Sequence, residues 1–234
     1  MITLIALIAL CFTSAQSDKE VQKPTVSQKS NNWTQDFGLE KRTLLTTGEN
    51  QFFILKPGFQ LIFEGGKTKL LITVLDETKK IGEITTRVVE EREEENGKLA
   101  EVSRNYFAIC KDTGDVFYFG EDVDNYKNGK IANHSGSWLA DGKNSKPGMI
   151  MPGKPSIGAK YYQEISPGKA MDRAEVISIS ETLKTPGGTF ENCLKTQETT
   201  ALDPKEKEYK IYAPGIGLIK DADLLLTKYG YISK

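Results

Sequence analysis

The sequence predicts a mainly β fold, an antiparallel meander that forms a sandwich or a curved, partly closed barrel with a long internal Gly- and Pro-rich loop. From residue 51 onward, short runs rich in β-branched and aromatic residues are separated by turn residues. Asn-Gly pairs at 96–97 and 128–129 are typical of tight hairpin turns. These runs do not alternate with long helical patterns, which argues against a doubly wound α/β fold.

The composition is that of an ordinary globular protein. The chain has 234 residues, of which 38% are hydrophobic and 27% are charged, and its formal net charge is -1. Such a length is sufficient for one sizeable core. The near-neutral charge gives no electrostatic reason to bind phosphate backbones, so nucleic acid is not an expected partner. No segment after residue 15 reaches the ~20 apolar residues of a membrane-spanning helix.

The N-terminus resembles a secretory signal. Residues 1–12 are apolar and uncharged, and Thr13, Ser14 and Ala15 are small residues ahead of a polar stretch. This pattern predicts a signal peptide over 1–15, cleavage after Ala15, and a periplasmic or secreted protein. It lacks a Lys or Arg before the apolar run, and a buried strand or helix is the alternative. Lipidation at Cys11 is a minority alternative, because Leu10 stands where a lipobox has a small residue.

Residues 16–48 are predicted to be a polar linker with one short helical turn within 39–45, and residues 49–234 a single β domain. Its first strands cover 51–55 and 59–64, separated by Lys56-Pro57-Gly58, and then 70–75. A hairpin around 112–114 joins 104–109 to 116–119. Residues 140–158 are predicted to be the long loop. Further strands are expected at 161–165, 173–180, 189–199, 208–213 and 217–220.

The strongest local prediction is a two-residue type I′ turn at Asn96-Gly97, since both positions require positive φ. The resulting register pairs Glu95 with Lys98 and Arg92 with Glu101, which are opposite charges. It also places Glu91 opposite Val102, and Glu93 opposite Ala100. Because residues 90–98 are so highly charged, we expect the end of this hairpin to project into water.

Candidate catalytic and metal-binding residues are few. The single histidine, His134, is predicted to be a turn or strand-end residue, because neither a triad nor a Gly-x-Ser-x-Gly motif accompanies it. Glu121, Asp122 and Asp124 form an oxygen-rich stretch and are a weak calcium candidate, although their spacing departs from the EF-hand and a solvated turn is the preferred explanation. No other metal and no cofactor are predicted.

Two cysteines remain after cleavage, Cys110 and Cys193. They form a disulfide in an oxidising compartment or stay as separate buried thiols, and the sequence leaves both options open. Aromatic residues cluster at 106–107, 117–119 and 161–162. On alternating strands such residues fill a core, or else they line an apolar groove for a hydrophobic ligand.

Several motifs resemble an uncharacterised family of exported bacterial proteins. Residues 51–65 are similar to its opening pattern, FPLxPGxxWxYEG, and depart from it around Ile62, where the family has a Trp. Residues 105–122 resemble its central hairpin, and 136–138, 147–152, 162–164 and 212–218 follow in the family's order. The resemblance spans about residues 50–221. It implies export and β architecture, and it implies no activity.

These observations predict an exported, non-enzymatic binding or structural protein of the bacterial envelope. The expected partner is a small hydrophobic molecule or another envelope protein. The alternative is a hydrolase that cleaves envelope polysaccharide with a pair of carboxylates, which requires two acidic side chains in one cleft and at least one shifted pKa.

Overall fold

The computed structural model describes residues 32–203 and 205–231, and in them the chain is mostly β-strand. Thirteen strands follow one another in a nearly closed, barrel-like antiparallel sheet. The predicted mainly β, antiparallel fold class is therefore confirmed. The predicted signal peptide over 1–15, including Cys11, lies outside the described residues.

The described residues form one 3₁₀ helix and a series of strands. The helix is η1 (Leu39–Lys41). The strands are β1 (Leu44–Leu45), β2 (Gly48–Asn50), β3 (Phe53–Leu55), β4 (Phe59–Gly65), β5 (Thr68–Ile81), β6 (Ile84–Glu95), β7 (Lys98–Cys110), β8 (Val116–Lys127), β9 (Lys130–Asn133), β10 (Trp138–Leu139), β11 (Lys146–Met151), β12 (Lys160–Tyr162), β13 (Glu164–Ile165), β14 (Asp172–Thr185), β15 (Gly188–Thr200), β16 (Glu208–Ala213), β17 (Gly217–Asp221) and β18 (Leu224–Tyr231).

Most neighbours in the sheet are also neighbours in sequence. Strands β4 to β8 form one meander, and β14 to β18 form a second. The last strand, β18, pairs antiparallel with β4, where Leu226 lies opposite Phe63, and this pairing joins the two meanders. At the other junction, β11 and β13 extend the first meander and β12 extends the second. Strands β2 and β3 form a separate small sheet.

The β6–β7 hairpin confirms the predicted turn but corrects the predicted register. Asn96 and Gly97 have φ angles of 53° and 72°, and Glu95 lies opposite Lys98. A β-bulge then leaves Ala100 unpaired, so Glu93 faces Glu101 instead of Ala100. One extra residue on one strand moves every later pair by one position.

Beyond this bulge, two further expectations for the hairpin are also corrected. Glu91 lies opposite Ser103 rather than Val102, and Arg92 lies opposite Val102 rather than Glu101. The hairpin was expected to project into water. Its outermost residues are exposed, but Glu91 and Glu93 are only partly exposed, and both line cavities inside the sheet.

The Gly- and Pro-rich stretch over 140–158, predicted to be a loop, contains strand β11. Its residues pair with β8 on one side and with β13 on the other. Glycine permits this crossing, because a Cβ at Gly148 would lie 2.1 Å from the carbonyl oxygen of Gln163. The alternation of inward and outward side chains is hard to recognise in a strand so rich in Gly and Pro. The sequence therefore predicts a loop here.

The second half of the predicted linker packs on the barrel. Phe37 is 7% exposed, and its ring lies 5.7 Å from that of Phe117. Arg42 forms a 2.7 Å ion pair with Asp115. The expected helical turn is present as η1, and β1 pairs with β7. A few aromatic and charged anchors hold this segment, and they leave no periodic pattern in the sequence.

The buried aromatic and aliphatic residues form one continuous core that includes Phe63, Phe117, Leu194 and Leu226. Most aromatics of the predicted clusters belong to it, as the burial of Tyr106, Phe119 and Tyr161 shows. Within the described ranges, no helix has the length and apolar character needed to cross a membrane.

Candidate functional site

A cavity of about 270 Å³ lies inside the barrel-like sheet. Its volume is close to the lower limit of about 300 Å³ for small-molecule sites. Alternate residues of β4 to β7 and of β16 line it, because successive side chains of a strand point to opposite faces. The cavity wall has an apolar half and an acidic half, and strands β6, β7 and β17 contribute residues to both.

The apolar half is closed by the small β2–β3 sheet. Phe53 of β3 packs edge-to-face against Phe107 of β7, with ring centroids 5.2 Å apart. The backbone N–H of Gly215 donates a 2.8 Å hydrogen bond to the carbonyl of Gln51, which ties the β2–β3 turn to the barrel. The other apolar lining residues are Ile54, Phe59, Leu61, Ile72, Val74, Val89, Ile150, Ile216 and Leu218.

The acidic half contains five carboxylates that come from five different strands. They are Glu91, Glu101, Glu121, Glu164 and Asp221. An adjoining space of about 300 Å³ shares Glu91, Glu101 and Asp221 and adds Glu93 and Glu208. We call this adjoining space the acidic mouth. It lies at the opposite end of the strands from the β2–β3 sheet, as the order Glu101, Ser103, Asn105, Phe107 along β7 shows.

The bulge in β8 aims two of the lining residues inward. Tyr118 lies opposite Phe107 and Glu121 lies opposite Asn105, so Phe119 and Gly120 together face a single partner residue. Without the bulge, residues three apart would point to opposite faces. Gly120 has φ 122°, and a Cβ there would lie 2.3 Å from the carbonyl oxygen of Trp138. Only glycine therefore fits the bend that brings Glu121 into the cavity.

Lys210 is the one basic residue among the described residues that line the cavity and its mouth. Its Nζ lies 3.4 Å from Glu198, 3.5 Å from Asp221 and 3.9 Å from Glu208. Burial lowers its pKa, but these carboxylates more than compensate, and the net pKa of Lys210 lies well above its ordinary value. Lys210 is therefore a charged group that is already fully engaged with three carboxylates.

The remaining carboxylates hold their protons more tightly than usual. Desolvation raises the pKa of Glu91 to about 7; the charge of Lys210 opposes this rise, and repulsion from neighbouring acids reinforces it. Desolvation and the charges of Glu91 and Glu101 raise the pKa of Glu121 to about 8. The pKa of Glu164 is raised well above its ordinary value, first by burial and then by Asp172 and Glu121. Near neutral pH, carboxyl groups in this half of the cavity are therefore still protonated and can release their protons.

Neutral polar groups separate the two halves. The hydroxyl of Tyr118 donates to Oδ1 of Asn105, and Nδ2 of Asn105 donates to Oγ of Ser103 at 3.1 Å. The hydroxyl of Tyr212 donates to Glu198 at 3.3 Å. Burial and the surrounding carboxylates raise the pKa of both tyrosines well above 10. These groups are neutral hydrogen-bonding partners that a polar atom of a ligand can reach.

The structure divides the three residues of the calcium candidate between two faces of β8. Glu121 lines the cavity, whereas Asp122 binds Lys79 at 2.6 Å and accepts a hydrogen bond from Tyr106. Asp124 forms an ion pair with Arg104 and lies 3.0 Å from Nδ1 of His134. Within residues 32–203 and 205–231, no group of three or more His, Cys, Asp or Glu residues is placed to hold a metal ion. Calcium binding stays a prediction without a described coordination geometry.

The histidine and the cysteines lie away from the cavity. His134 follows β9, its side chain is 66% exposed, and its Nδ1 lies 3.0 Å from Asp124 and 2.9 Å from the carbonyl of Val123. Cys110 and Cys193 are both buried and free, so the open question of their pairing is answered by separate thiols.

Sequence reasoning missed most of the cavity residues. Lys210 and Glu164 were not singled out, and Glu91 was expected to face water. One signal was present in the chain, since strand β16 alternates Glu208, Lys210 and Tyr212 on one face with Tyr209 and Ile211 on the other. A charged residue on the same strand face as a buried aromatic indicates that this face lines a polar interior. This conclusion can be drawn only when it is known that the sheet closes into a barrel.

Comparison of the chain with protein-family models, with curated proteins and with solved structures found no match. The resemblance to an exported bacterial family therefore stays a prediction, and the case for a function depends on the cavity itself.

Proposed function

We propose that this chain is an exported binding protein of the bacterial envelope that holds a small amphipathic molecule inside its barrel. The observation that carries the proposal is the cavity, which is closed by apolar residues at one end and opens to polar residues at the other. A concave, mostly preformed space with apolar walls and a few polar groups is the usual form of a small-molecule site. The signal-like N-terminus supports export.

A small ligand is favoured over an envelope protein as the partner. Among the described large hydrophobic residues with high exposure, Tyr229 and Tyr231 share strand β18, and the others lie on separate strands and loops: Leu45, Ile131, Ile157, Ile179, Leu202 and Tyr209. Protein partners usually recognise a contiguous apolar patch of several hundred Å². Inside the sheet, apolar residues such as Ile72 and Leu218 pack against the core on one side and line the cavity on the other.

Native mass spectrometry of the protein purified from the periplasm of an expression host tests the proposal. We expect a co-purifying small molecule that is lost on denaturation. The Leu218→Trp variant fills the apolar half and should lose this extra mass. Leu202→Trp makes the same change at a residue that is 50% exposed, and it should retain the ligand. An apo mass for the wild type, together with no binding of added amphiphiles, would contradict the proposal.

A second candidate is hydrolysis of envelope polysaccharide. Glu91 and Glu121 line one cavity, and the pKa of Glu121 is raised to about 8, as a general acid requires. Release of reducing ends from envelope polysaccharide by the wild type, abolished in Glu121→Gln, would favour this activity over simple binding.

A further inference from the structure

The charges in the cavity do not balance. Five carboxylates line it, and Lys210 is the one lysine or arginine among its described lining residues. That lysine is already shared among Glu198, Glu208 and Asp221. Four carboxyl groups, those of Glu91, Glu101, Glu121 and Glu164, therefore have no ion pair with a lysine or arginine in the part of the chain that the structure describes.

Glu91 and Glu164 have the clearest lack of a partner. Among the described residues, neither accepts a hydrogen bond nor forms an ion pair, whereas Glu121 lies beside the hydroxyl of Tyr118. Both are largely removed from bulk water, since desolvation is the largest cause of the raised pKa of each. A buried carboxylate without a partner is costly, so it either keeps a proton or meets a cation from outside.

The two unpartnered carboxyls adjoin the apolar wall. On the paired strands β5 and β6, Glu91 lies opposite Ile72, and the next inward pair toward the closed end is Val74 with Val89. On β7 the inward series continues from Asn105 to Phe107. A ligand that extends from the acidic half into the apolar half therefore needs a positive end and an apolar end.

We propose that the ligand is a small amphipathic organic cation, with a protonated amine among Glu91, Glu121 and Glu164 and an apolar group against Phe53, Phe59 and Phe107. This inference rests on the proposed function and names the chemical class of its ligand. An ammonium group donates up to three hydrogen bonds, which matches carboxyl groups that come from three different strands. Charge-assisted hydrogen bonds of this kind are roughly twice as strong as neutral ones.

Binding of such a cation is coupled to release of protons. At neutral pH, Glu91 and Glu121 are partly protonated, and an ammonium group favours their ionised forms. Affinity for an amine should therefore rise from pH 6 to pH 8.

The ionisable groups that face the site from the surrounding strands are Glu91 and Glu93 of β6, Glu101 of β7, Glu121 of β8, Glu164 of β13, Asp172 of β14, Glu198 of β15, Glu208 and Lys210 of β16, and Asp221 of β17.

Titration calorimetry with three probes of equal length tests the inference. At pH 8, we expect n-octylammonium to bind at least about tenfold more tightly than n-octanol, and octanoate to bind more weakly than either. Equal affinity for octylammonium and octanol would overturn the choice of a cation while leaving the cavity as a binding site. Failure of all three probes to bind would overturn the proposed function itself.

Single variants locate the amine. Glu91→Gln and Glu164→Gln should each weaken octylammonium binding about tenfold or more and leave octanol binding unchanged. Glu94→Gln removes an exposed carboxylate from the outer face of the same strand as Glu91 and should change neither affinity. Thermal unfolding of each variant shows that it is folded. An unchanged octylammonium affinity in both cavity variants would overturn the inference.

Titrations at pH 7 in two buffers of different ionisation enthalpy measure the protons released. We expect a net release when octylammonium binds the wild type, and a smaller release in Glu121→Gln. No proton release in the wild type would contradict the proposed position of the amine among these carboxyls.

Discussion

The two halves of the barrel interior share strands β6, β7 and β17 and behave in opposite ways. In the apolar half, Phe107 is 5% exposed and stacks on Tyr118 with ring centroids 4.7 Å apart. In the acidic half, Glu91 and Glu164 point into the same space without a hydrogen bond or ion pair among the described residues. One half follows the rules of a protein core, and the other departs from them.

This difference distinguishes side chains that stabilise the fold from side chains that are characteristic of a site. Burial of aromatic side chains stabilises the fold, whereas desolvated carboxyl groups destabilise it when they ionise. Groups that weaken a fold are characteristic of binding and catalytic sites, since such sites are optimised for a ligand rather than for the folded state alone. The comparison therefore predicts different responses of the two halves to substitution and to pH.

The largest effect is expected when the cation of the acidic half is removed. Lys210→Met should lower the free energy of unfolding by about 3–5 kcal/mol at pH 8, because it leaves Glu198 and Asp221 without their cationic partner. Urea denaturation measures this loss. The loss should be smaller at pH 5, where protonation neutralises part of the cluster.

Lys228→Met is the control for this change, since Lys228 is exposed on β18. Its effect should stay within about 0.5 kcal/mol. A loss below about 1 kcal/mol for Lys210→Met at pH 8 would show that water, and not Lys210, compensates the carboxylates.

A slightly smaller loss is expected in the apolar half. Phe107→Ala removes a ring that contacts both Phe53 and Tyr118, and it should cost about 3–4 kcal/mol at any pH between 5 and 8. Chemical denaturation at both pH values checks the magnitude and its independence of pH. Ile157→Ala, at a residue that is 64% exposed, should cost less than about 0.5 kcal/mol. A strongly pH-dependent cost for Phe107→Ala would show that the two halves are coupled.

The smallest expected effect is the pH-dependent change in stability caused by substitution of Glu121 in the acidic half. The pKa of Glu121 is about 8 in the folded protein and near 4.5 in an unfolded chain. Below pH 4.5 both states hold the proton, and between pH 4.5 and 8 only the folded state holds it, so stability falls as pH rises through this range. Glu121→Gln should therefore raise the free energy of unfolding by about 2 kcal/mol at pH 8 and by much less at pH 5.

Unfolding curves at pH 5, 6, 7 and 8 measure this slope. Glu94→Gln, at an exposed position of β6, should follow the wild-type profile. A Glu121→Gln profile parallel to that of the wild type would mean that Glu121 is ionised and hydrated in the folded protein.

Local chemistry made part of this fold predictable. Asn96 and Gly97 adopt positive φ, as a two-residue hairpin turn demands, and they do so whatever surrounds them. The strand predicted for residues 208–213 is found with those limits, because its side chains alternate and a turn follows at Pro214-Gly215. Strand β11 escaped prediction because Gly and Pro obscure its alternation.

The cavity was not predictable in the same way. A single bulge at Ala100 sets whether Glu91 faces Val102 or Ser103, and the bulge at Gly120 lets both Tyr118 and Glu121 face inward. At each bulge, two strand registers of similar local geometry are available. The pairing of β18 with β4 then closes the sheet around these side chains.

The sequence by itself determined the antiparallel β class and the positions of the Asn-Gly turns, because turn geometry and side-chain alternation are properties of neighbouring residues. The tertiary structure alone decided which face of each strand is interior. It brought Glu91, Glu121, Glu164 and Lys210 into one space from strands that are far apart in the chain. The raised pKa values of the three glutamates arise from burial and mutual repulsion, and that of Lys210 arises from the carboxylates around it. All of these causes depend on distances that exist only once the barrel has closed.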